Sequence, residues 1–296
     1  MSTPAFEPSP LIAGLWRLDT WGRDAAESAA WIAACVELGL DTFDLADIYG
    51  DHRCEELFGA ALARDPGLRE RLQLVSKCDI RFPSQRRPDV RVHHYDTSAA
   101  HIVASAERSL VNLHTERLDV LLLHRADPLM DADEVAGAFE ALARAGKVLH
   151  FGVSNFTPAQ LDLLAARTAM PLVTHQVEAS VLHLAPFLDG TLDQLQRLRM
   201  VPMAWSPLAG GRLFERGDAR AERVRAALRA VGDEHGGAPL DAVAFAFLLR
   251  HPAGVRPITG SGRLERLRTA AAARELALSR EDWFRIWTAS QGAPLR

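Results

Sequence analysis

The stretch Thr42-Phe-Asp-Leu-Ala-Asp-Ile-Tyr-Gly50 begins as a short apolar strand and continues into polar side chains. Two later apolar runs also end in an ionisable residue, since the run 72–77 ends at Lys77 and the run 118–124 ends at His124. Ionisable groups rarely end several buried strands by accident, because burying an unpaired charge is costly. In a barrel of parallel strands, all carboxyl ends meet at one mouth, where active sites are built. The sequence therefore predicts that four side chains gather there, namely Asp44, Tyr49, Lys77 and His124.

Strand-like and helical patterns alternate along all 296 residues, of which 48% are hydrophobic. The eight strand-like runs are 11–16, 42–46, 72–77, 118–124, 148–153, 172–177, 201–205 and 255–258. Helix signals lie between them, such as Pro158 at a helix start and Gly39 and Gly146 at helix ends. Runs without strict polar alternation are typical of a parallel sheet covered by helices. The pattern predicts an α/β protein, a (β/α)8 TIM barrel in which residues 1–296 form a single domain.

An open, doubly wound sheet is the main alternative fold. It is disfavoured because no Gly-x-Gly-x-x-Gly follows the first strand and no phosphate-binding Gly-x-x-x-x-Gly-Lys-Ser/Thr occurs in the sequence. Two long loops, 79–96 and 206–217, follow strand ends and are expected to overhang the mouth, because loops of this length are often functional. Thr97 or Asp96 is the expected N-cap of the helix that follows the first of these loops.

Composition and short motifs exclude several classes of function. A formal net charge of −4 argues against a nucleic-acid surface. The N-terminus has no basic segment followed by a long apolar core, and the run 11–18 is too short to span a membrane, so we expect a cytoplasmic protein. Three cysteines form no disulfide framework, and His93-His94 lacks further ligands at usable spacing, so we expect no metal site. Cys78 follows Lys77, but a nucleophilic role would need a partner histidine that the sequence does not indicate.

The four polar residues have complementary chemistry. A tyrosine has a pKa near 10 in water, and a neighbouring ammonium is expected to lower the pKa of Tyr49 toward the working range. Asp44 would hold Lys77 in place, and His124 would orient a carbonyl oxygen by a hydrogen bond. The carbonyl carbon then needs an electron pair, which a hydride from a nicotinamide would supply. Asp47 is expected to form hydrogen bonds in the loop rather than to act as a base.

Two other functions remain open on the residues alone. Lys77 could form a Schiff base in an aldolase, as lysines in barrels often do. Alternatively, the chain could be a nicotinamide-binding sensor without significant turnover. Borohydride trapping on Lys77 would indicate the first function, and tight NADPH binding without carbonyl reduction would indicate the second.

Five motifs, taken in order, resemble those of the aldo-keto reductase superfamily, in particular a bacterial branch of oxidoreductases. They are the stretches 39–50, 76–77, 118–124, 152–156 (Gly-Val-Ser-Asn-Phe) and 205–208 (Trp-Ser-Pro-Leu), and a Gly-Ser-Gly follows at 260–262. The resemblance extends from Gly14 to Arg266. It implies a (β/α)8 barrel that binds NADPH (NADP+) without a Rossmann fold and reduces a small carbonyl substrate.

The resemblance also assigns roles to residues. It places the catalytic tetrad at Asp44, Tyr49, Lys77 and His124. It places the nicotinamide at Ser154, Asn155, Gln176 and Trp205, with Trp16 near cofactor and substrate, and it makes Asp44 a further cofactor contact. It places the pyrophosphate at Ser206, Pro207, Leu208, Ala209 and Gly210, and the 2′-phosphate at Ser261 and Arg266. Further cofactor contacts are expected at Arg212, Gly260, Gly262 and Arg263. Gly260 stands where many members have lysine, and Arg263, at a helix start, can supply that charge.

Overall fold

The structure of the protein is a computed structural model that describes residues 6–294. Its strands are β1 (Ile12–Gly14), β2 (Thr42–Asp44), β3 (Gln73–Cys78), β4 (Ile80–Arg81), β5 (His94–Tyr95), β6 (Leu118–Leu123), β7 (Val148–Ser154), β8 (Leu172–Glu178), β9 (Val201–Trp205) and β10 (Arg256–Thr259). Its α-helices are α1 (Ala25–Glu37), α2 (Tyr49–His52), α3 (Cys54–Leu62), α4 (Ala99–Asn112), α5 (Ala132–Arg144), α6 (Pro158–Ala165), α7 (Thr191–Leu198), α8 (Ala219–Glu234), α9 (Leu240–Leu249), α10 (Leu264–Ala272) and α11 (Arg280–Gln291).

Eight of these strands close into a barrel in the order β1-β10-β9-β8-β7-β6-β3-β2. The neighbouring pairs β1–β2, β2–β3, β3–β6, β6–β7 and β9–β10 are all parallel. Each barrel strand coincides, within a few residues, with one of the apolar runs in the sequence. The predicted (β/α)8 TIM barrel is therefore confirmed.

The chain divides into two compact units. The first contains Ala13–His175 together with residues 6–9, and the second contains Pro10–Ile12 and residues 176–294. In the first, Phe43 lies between the rings of Trp31 and Phe58. In the second, Trp283 stacks on Phe247 at 4.7 Å between ring centroids. That residues 1–296 form a single domain stays a prediction.

Local sequence signals set the helix ends. Pro158 lies in the first turn of α6, as the sequence predicts, and Thr157 caps this helix in a capping box. The prediction of Thr97 or Asp96 as the N-cap of α4 is wrong, because Ser98 takes that position and accepts the backbone N–H of His101. The Asp96 carboxylate instead accepts the Ser98 hydroxyl at 2.6 Å.

The loop 79–96 is more ordered than its sequence suggests. It contains the antiparallel pair β4–β5, in which Arg81 lies opposite His94. Arg81 also bridges two carboxylates, those of Asp89 and Asp96. His93 is exposed on this loop. Strands of two residues carry too few side chains for a detectable period, so sequence patterning could not predict the hairpin.

Between residues 6 and 294, no helix is both long enough and apolar enough to cross a membrane.

Candidate active site

Strand register places three of the predicted site residues at adjacent strand ends in the first unit. Asp44 ends β2 opposite Val75, and Lys77 in β3 lies opposite Leu122. The pairing continues past the strands, since Asp47 donates its N–H to the Lys77 carbonyl and His124 donates to the Cys78 carbonyl. The backbone ladder thus aligns the side chains of this end of the barrel.

The Lys77 ammonium lies at the centre of the site. It is completely buried and donates to Asp44 Oδ1 at 2.8 Å, to the Leu45 carbonyl at 2.6 Å and to the Tyr49 hydroxyl at 3.1 Å. Burial alone would lower the pKa of Lys77, but the Asp44 carboxylate and Tyr49 outweigh it, so the pKa is raised. Lys77 is therefore a permanently charged group directed at the phenol.

Tyr49 is neutral in this environment. Burial raises the pKa of Tyr49 above its usual 10, and the opposing effect of the Lys77 ammonium is smaller. The expectation that Lys77 would bring this pKa down toward the working range is therefore wrong in its net direction. Lys77 does act in the expected sense, but desolvation of the phenolate dominates. The hydroxyl keeps its proton, as a proton donor must.

His124 completes the cluster. Its ring lies 5.9 Å from the Tyr49 ring, at an interplanar angle of 77°. Burial, with smaller contributions from the charges of Lys77 and Arg125, holds the pKa of His124 well below its usual value. The imidazole is thus neutral and carries one ring N–H, which can donate to a carbonyl oxygen. The structure therefore brings all four predicted side chains together.

Buried polar residues surround the loop that carries Tyr49, and patterning did not single out most of them. The Asp47 carboxylate accepts the Ser105 hydroxyl at 2.6 Å, so Asp47 forms a loop hydrogen bond as predicted. Burial raises its pKa to about 7. Glu55 likewise accepts the Ser76 hydroxyl at 2.6 Å. Ser105 lies 58 residues from Asp47, so only the fold reveals this contact.

Two alternative nucleophiles do not fit the structure. Cys78 is buried, and burial raises the pKa of its thiol well above the usual value, so the thiolate is not available. Lys77 would need to lose a proton to form a Schiff base, yet its pKa is raised and three acceptors hold its ammonium. The aldolase alternative therefore lacks an amine nucleophile.

The end of β7 supplies two further polar groups in the first unit. Ser154 is completely buried, and its hydroxyl accepts the Asn155 amide at 2.8 Å. The same amide donates to the His124 carbonyl at 3.1 Å. Asn155 has a φ of 59°, a left-handed conformation that asparagine tolerates better than most residues. Trp16, after β1, is 65% exposed and so presents an aromatic face to solvent.

The second unit contains the remaining predicted cofactor residues. Gln176 in β8 is buried, and Trp205, which ends β9, is half-buried. The chain then turns through left-handed positions at Ser206, Ala209, Gly210 and Gly211. Such turns direct successive N–H groups into a concave surface that suits phosphate oxygens. The φ of 103° at Gly211 favours glycine there.

A basic helix start lies later in the second unit. Arg263 is the N-cap residue of α10, and its N–H donates to the Ser261 hydroxyl at 3.2 Å. The side chains of Arg263 and Arg266 are exposed. A helix N-terminus with two guanidinium groups is a favourable environment for a phosphate.

Comparison with known proteins identifies what this arrangement resembles. The sequence model of the Aldo/keto reductase family matches residues 10–290. The chain is 51% identical over 284 residues to "Uncharacterized oxidoreductase YcsN" of Bacillus subtilis, covering 96% of this chain and 95% of that protein. It is 44% identical over 287 residues to "6-dehydroglucose reductase" of Agrobacterium fabrum, covering 97% and 95%.

A solved structure supports the same assignment. The thermostable aldo-keto reductase Tm1743, in complex with the inhibitor epalrestat, superposes with a TM-score of 0.81 at 26% identity, and 98% of each chain is covered. The family predicted from the sequence motifs is therefore confirmed.

Proposed function

Because the chain belongs to the aldo/keto reductase family and is thus an NAD(P)H-dependent oxidoreductase, we propose that it reduces an aldehyde or ketone with NADPH and that Tyr49 is the general acid. One observation carries the proposal. The Tyr49 hydroxyl lies 3.1 Å from the Lys77 ammonium, which also donates to the Asp44 carboxylate at 2.8 Å. This arrangement delivers a proton and then stabilises the phenolate that remains.

The proton transfer follows from the charge states of the site. Tyr49 begins with its proton, because its pKa is raised. As negative charge develops on the carbonyl oxygen, the hydroxyl donates its proton and becomes a phenolate. The Lys77 ammonium, already in contact, stabilises that charge without reorganising. Asp44 keeps the ammonium in place, so the three side chains act as one unit.

His124 orients the substrate in this proposal. Its neutral ring donates one N–H to the carbonyl oxygen, which directs that oxygen toward Tyr49. A protonated imidazole would compete with Tyr49 as the acid, and the lowered pKa of His124 prevents this.

The residues present would fit nicotinamide adenine dinucleotide phosphate. When bound, the cofactor supplies the hydride. In the second unit, the left-handed turn after β9 would bind the pyrophosphate through Ser206, Pro207, Leu208, Ala209, Gly210 and Arg212, and the ring would contact Trp205 and Gln176. At the start of α10, the 2′-phosphate would bind Gly260, Ser261, Gly262, Arg263 and Arg266.

The first unit has polar groups of its own that would suit a nicotinamide. Ser154 and Asn155 have hydroxyl and amide groups suited to a carboxamide, and their mutual hydrogen bond fixes their orientation. Asp44 lies in the same group of strand ends. The exposed Trp16 ring would contact the cofactor and substrate as an apolar surface.

The experiment is a panel of carbonyl compounds assayed with NADPH and NADH by the loss of reduced-cofactor absorbance. The panel includes 6-dehydroglucose, because a 44% identical protein is named for its reduction. We expect reduction of at least one aldehyde, with NADPH preferred. Tight NADPH binding without turnover of any carbonyl would contradict the proposal and favour a sensor.

A further inference from the structure

The backbone immediately after Tyr49 adopts an unusual conformation. Gly50, Asp51 and His52 have φ values of 58°, 52° and 64°, so three consecutive residues are left-handed. Glycine accepts this conformation readily, whereas aspartate and histidine do so at a cost. Such residues persist where surrounding contacts hold them, and they concentrate at functional sites.

A hydrogen bond from His52 closes this turn. Its ring Nδ1 lies 2.7 Å from the Asp47 carbonyl oxygen. A carbonyl oxygen only accepts, so Nδ1 must carry the proton and donate. Burial lowers the pKa of His52, so the ring is neutral. Because Tyr49 lies between Asp47 and His52 in the chain, this bond spans the segment that carries the phenol.

Both ends of the spanning bond are anchored in the first unit. Asp47 is fixed by its N–H to the Lys77 carbonyl at 3.1 Å and by its carboxylate to Ser105. The His52 ring stacks on Phe82, with 5.4 Å between centroids and an interplanar angle of 9°. Phe82 belongs to the loop 79–96, directly after β4.

Space at the turn leaves little room for another arrangement. A Cβ atom added at Gly50 would lie 2.7 Å from Cys54 Sγ and 2.8 Å from Asp19 Cγ. The Gly50 carbonyl also accepts the Arg53 side chain at 3.1 Å. The turn is therefore packed on one side and held by His52 on the other.

We propose that His52, supported by Phe82, is a positioning residue for the general acid. The His52–Asp47 bond holds the strained turn, and the turn fixes the Tyr49 hydroxyl at 3.1 Å from Lys77 Nζ. This inference rests on the proposed function in assigning the proton transfer to Tyr49. It gives the loop 79–96 a role in catalysis, since Phe82 influences Tyr49 through the His52 ring.

Four variants separate positioning from packing. His52→Ala removes the donor and the ring, whereas His52→Asn keeps an N–H donor at the same distance from the backbone and tolerates the left-handed conformation. Phe82→Ala removes only the supporting ring. Arg86→Ala is the control on the same loop, because Arg86 pairs on the surface with Glu56.

The kinetic result expected is a loss of turnover with binding retained. His52→Ala and Phe82→Ala should lower kcat by about ten- to a hundredfold, the effect of misplacing a catalytic group by a fraction of an ångström to 1 Å. KM and the Kd for NADPH should stay within about twofold of the wild type. His52→Asn keeps the donor but loses the ring that stacks on Phe82, so it should recover only part of the kcat that His52→Ala loses, and Arg86→Ala should match the wild type. If His52→Ala and Phe82→Ala lower only thermal stability and leave kcat unchanged, the proposal is wrong.

A second readout does not depend on turnover. The chain has two tyrosines, Tyr49 and Tyr95, so ¹³Cζ-tyrosine labelling gives two NMR signals. The signal that disappears in Tyr95→Phe belongs to Tyr95, and the other belongs to Tyr49. The Tyr49 signal should shift in His52→Ala and Phe82→Ala and stay in place in Arg86→Ala. An unmoved Tyr49 signal in all variants overturns the positioning role. Failure of the wild type to reduce any carbonyl would instead count against the proposed function.

Discussion

Replacing Asp47 with asparagine should remove a pH dependence of the protein's stability. Burial raises the pKa of Asp47 from 3.8 to about 7, and the neighbouring Glu55 adds to this. The Ser105 hydroxyl and the charges of Arg108 and Arg87 oppose the shift without cancelling it. Between about pH 4 and pH 7, the folded protein therefore holds a proton that the unfolded chain releases.

The sign and size of the effect follow from this difference. Folding takes up a proton in that window, so the free energy of unfolding falls as the pH rises through it. The contribution of the Asp47 proton to stability is fully present below about pH 4 and is lost once the pH exceeds about 7. A pKa shift contributes about 1.4 kcal/mol per pH unit, so between about pH 4 and pH 7 the free energy of unfolding falls by at most about 4 kcal/mol.

Urea unfolding of the wild type and Asp47→Asn measures the effect directly. Between about pH 5 and pH 8, the stability of the wild type should fall by up to about 3 kcal/mol relative to the variant. Glu55 and Asp79 titrate in both proteins, so the difference between the two reports the titration of Asp47 together with its coupling to these two carboxylates. Asp233→Asn, which changes an exposed carboxylate, is the control and should follow the wild type. Parallel pH profiles for Asp47→Asn and the wild type would refute the reasoning.

Three further outcomes test the cofactor contacts and the packing. Arg266→Ala should raise the Kd for NADPH by about ten- to a hundredfold, because charge-assisted hydrogen bonds to the 2′-phosphate are lost, while the Kd for NADH stays unchanged. If fluorescence titration shows that both cofactors lose affinity equally, Arg266 does not bind a 2′-phosphate. Trp205→Ala should weaken NADPH binding by about two- to tenfold and should reduce the quenching of tryptophan fluorescence by bound NADPH. Unchanged quenching would mean that Trp205 only packs. Gly152→Ala should lower the free energy of unfolding, measured in urea, by about 1–3 kcal/mol, because a Cβ atom there would lie 2.3 Å from the Thr174 carbonyl oxygen. Gly137→Ala is the control and should not lower it, because a Cβ atom at Gly137 would have no other atom within 4 Å.

The barrel could be predicted from the sequence because its strands are buried and short. Runs such as 118–124 and 148–153 are apolar throughout and are separated by helix signals, so their order alone indicated alternating strands and helices. The tetrad could be predicted for a related reason. Parallel strands in a barrel end on one side, so polar residues at those ends must converge.

The features that could not be predicted depend on contacts between distant residues. The net pKa shift of Tyr49 depends on how completely the fold excludes water, which no local pattern reports. The Asp47 carboxylate is hydrogen-bonded to Ser105 in α4, and the left-handed residue His52 contacts Asp47 and Phe82. The N-cap of α4 was missed for a local reason, because Asp96, Thr97 and Ser98 are consecutive residues that can all cap a helix.

The central claim is that Tyr49 donates the proton with Lys77 in support. Lys77→Met removes the ammonium that contacts the phenol at 3.1 Å, so its turnover should fall about as far as that of Tyr49→Phe. The double variant should be little slower than either single one, because residues that act as a unit are not additive. Additive losses would mean that Lys77 acts independently of Tyr49.

Tyr49→Phe tests the claim most directly, since it removes the hydroxyl and keeps the ring. On a carbonyl that the wild type reduces, kcat with NADPH should fall by about 10² to 10⁴, the range of general acid catalysis, while the Kd for NADPH stays unchanged. A Tyr49→Phe protein that reduces the same carbonyl at the wild-type rate would contradict the account.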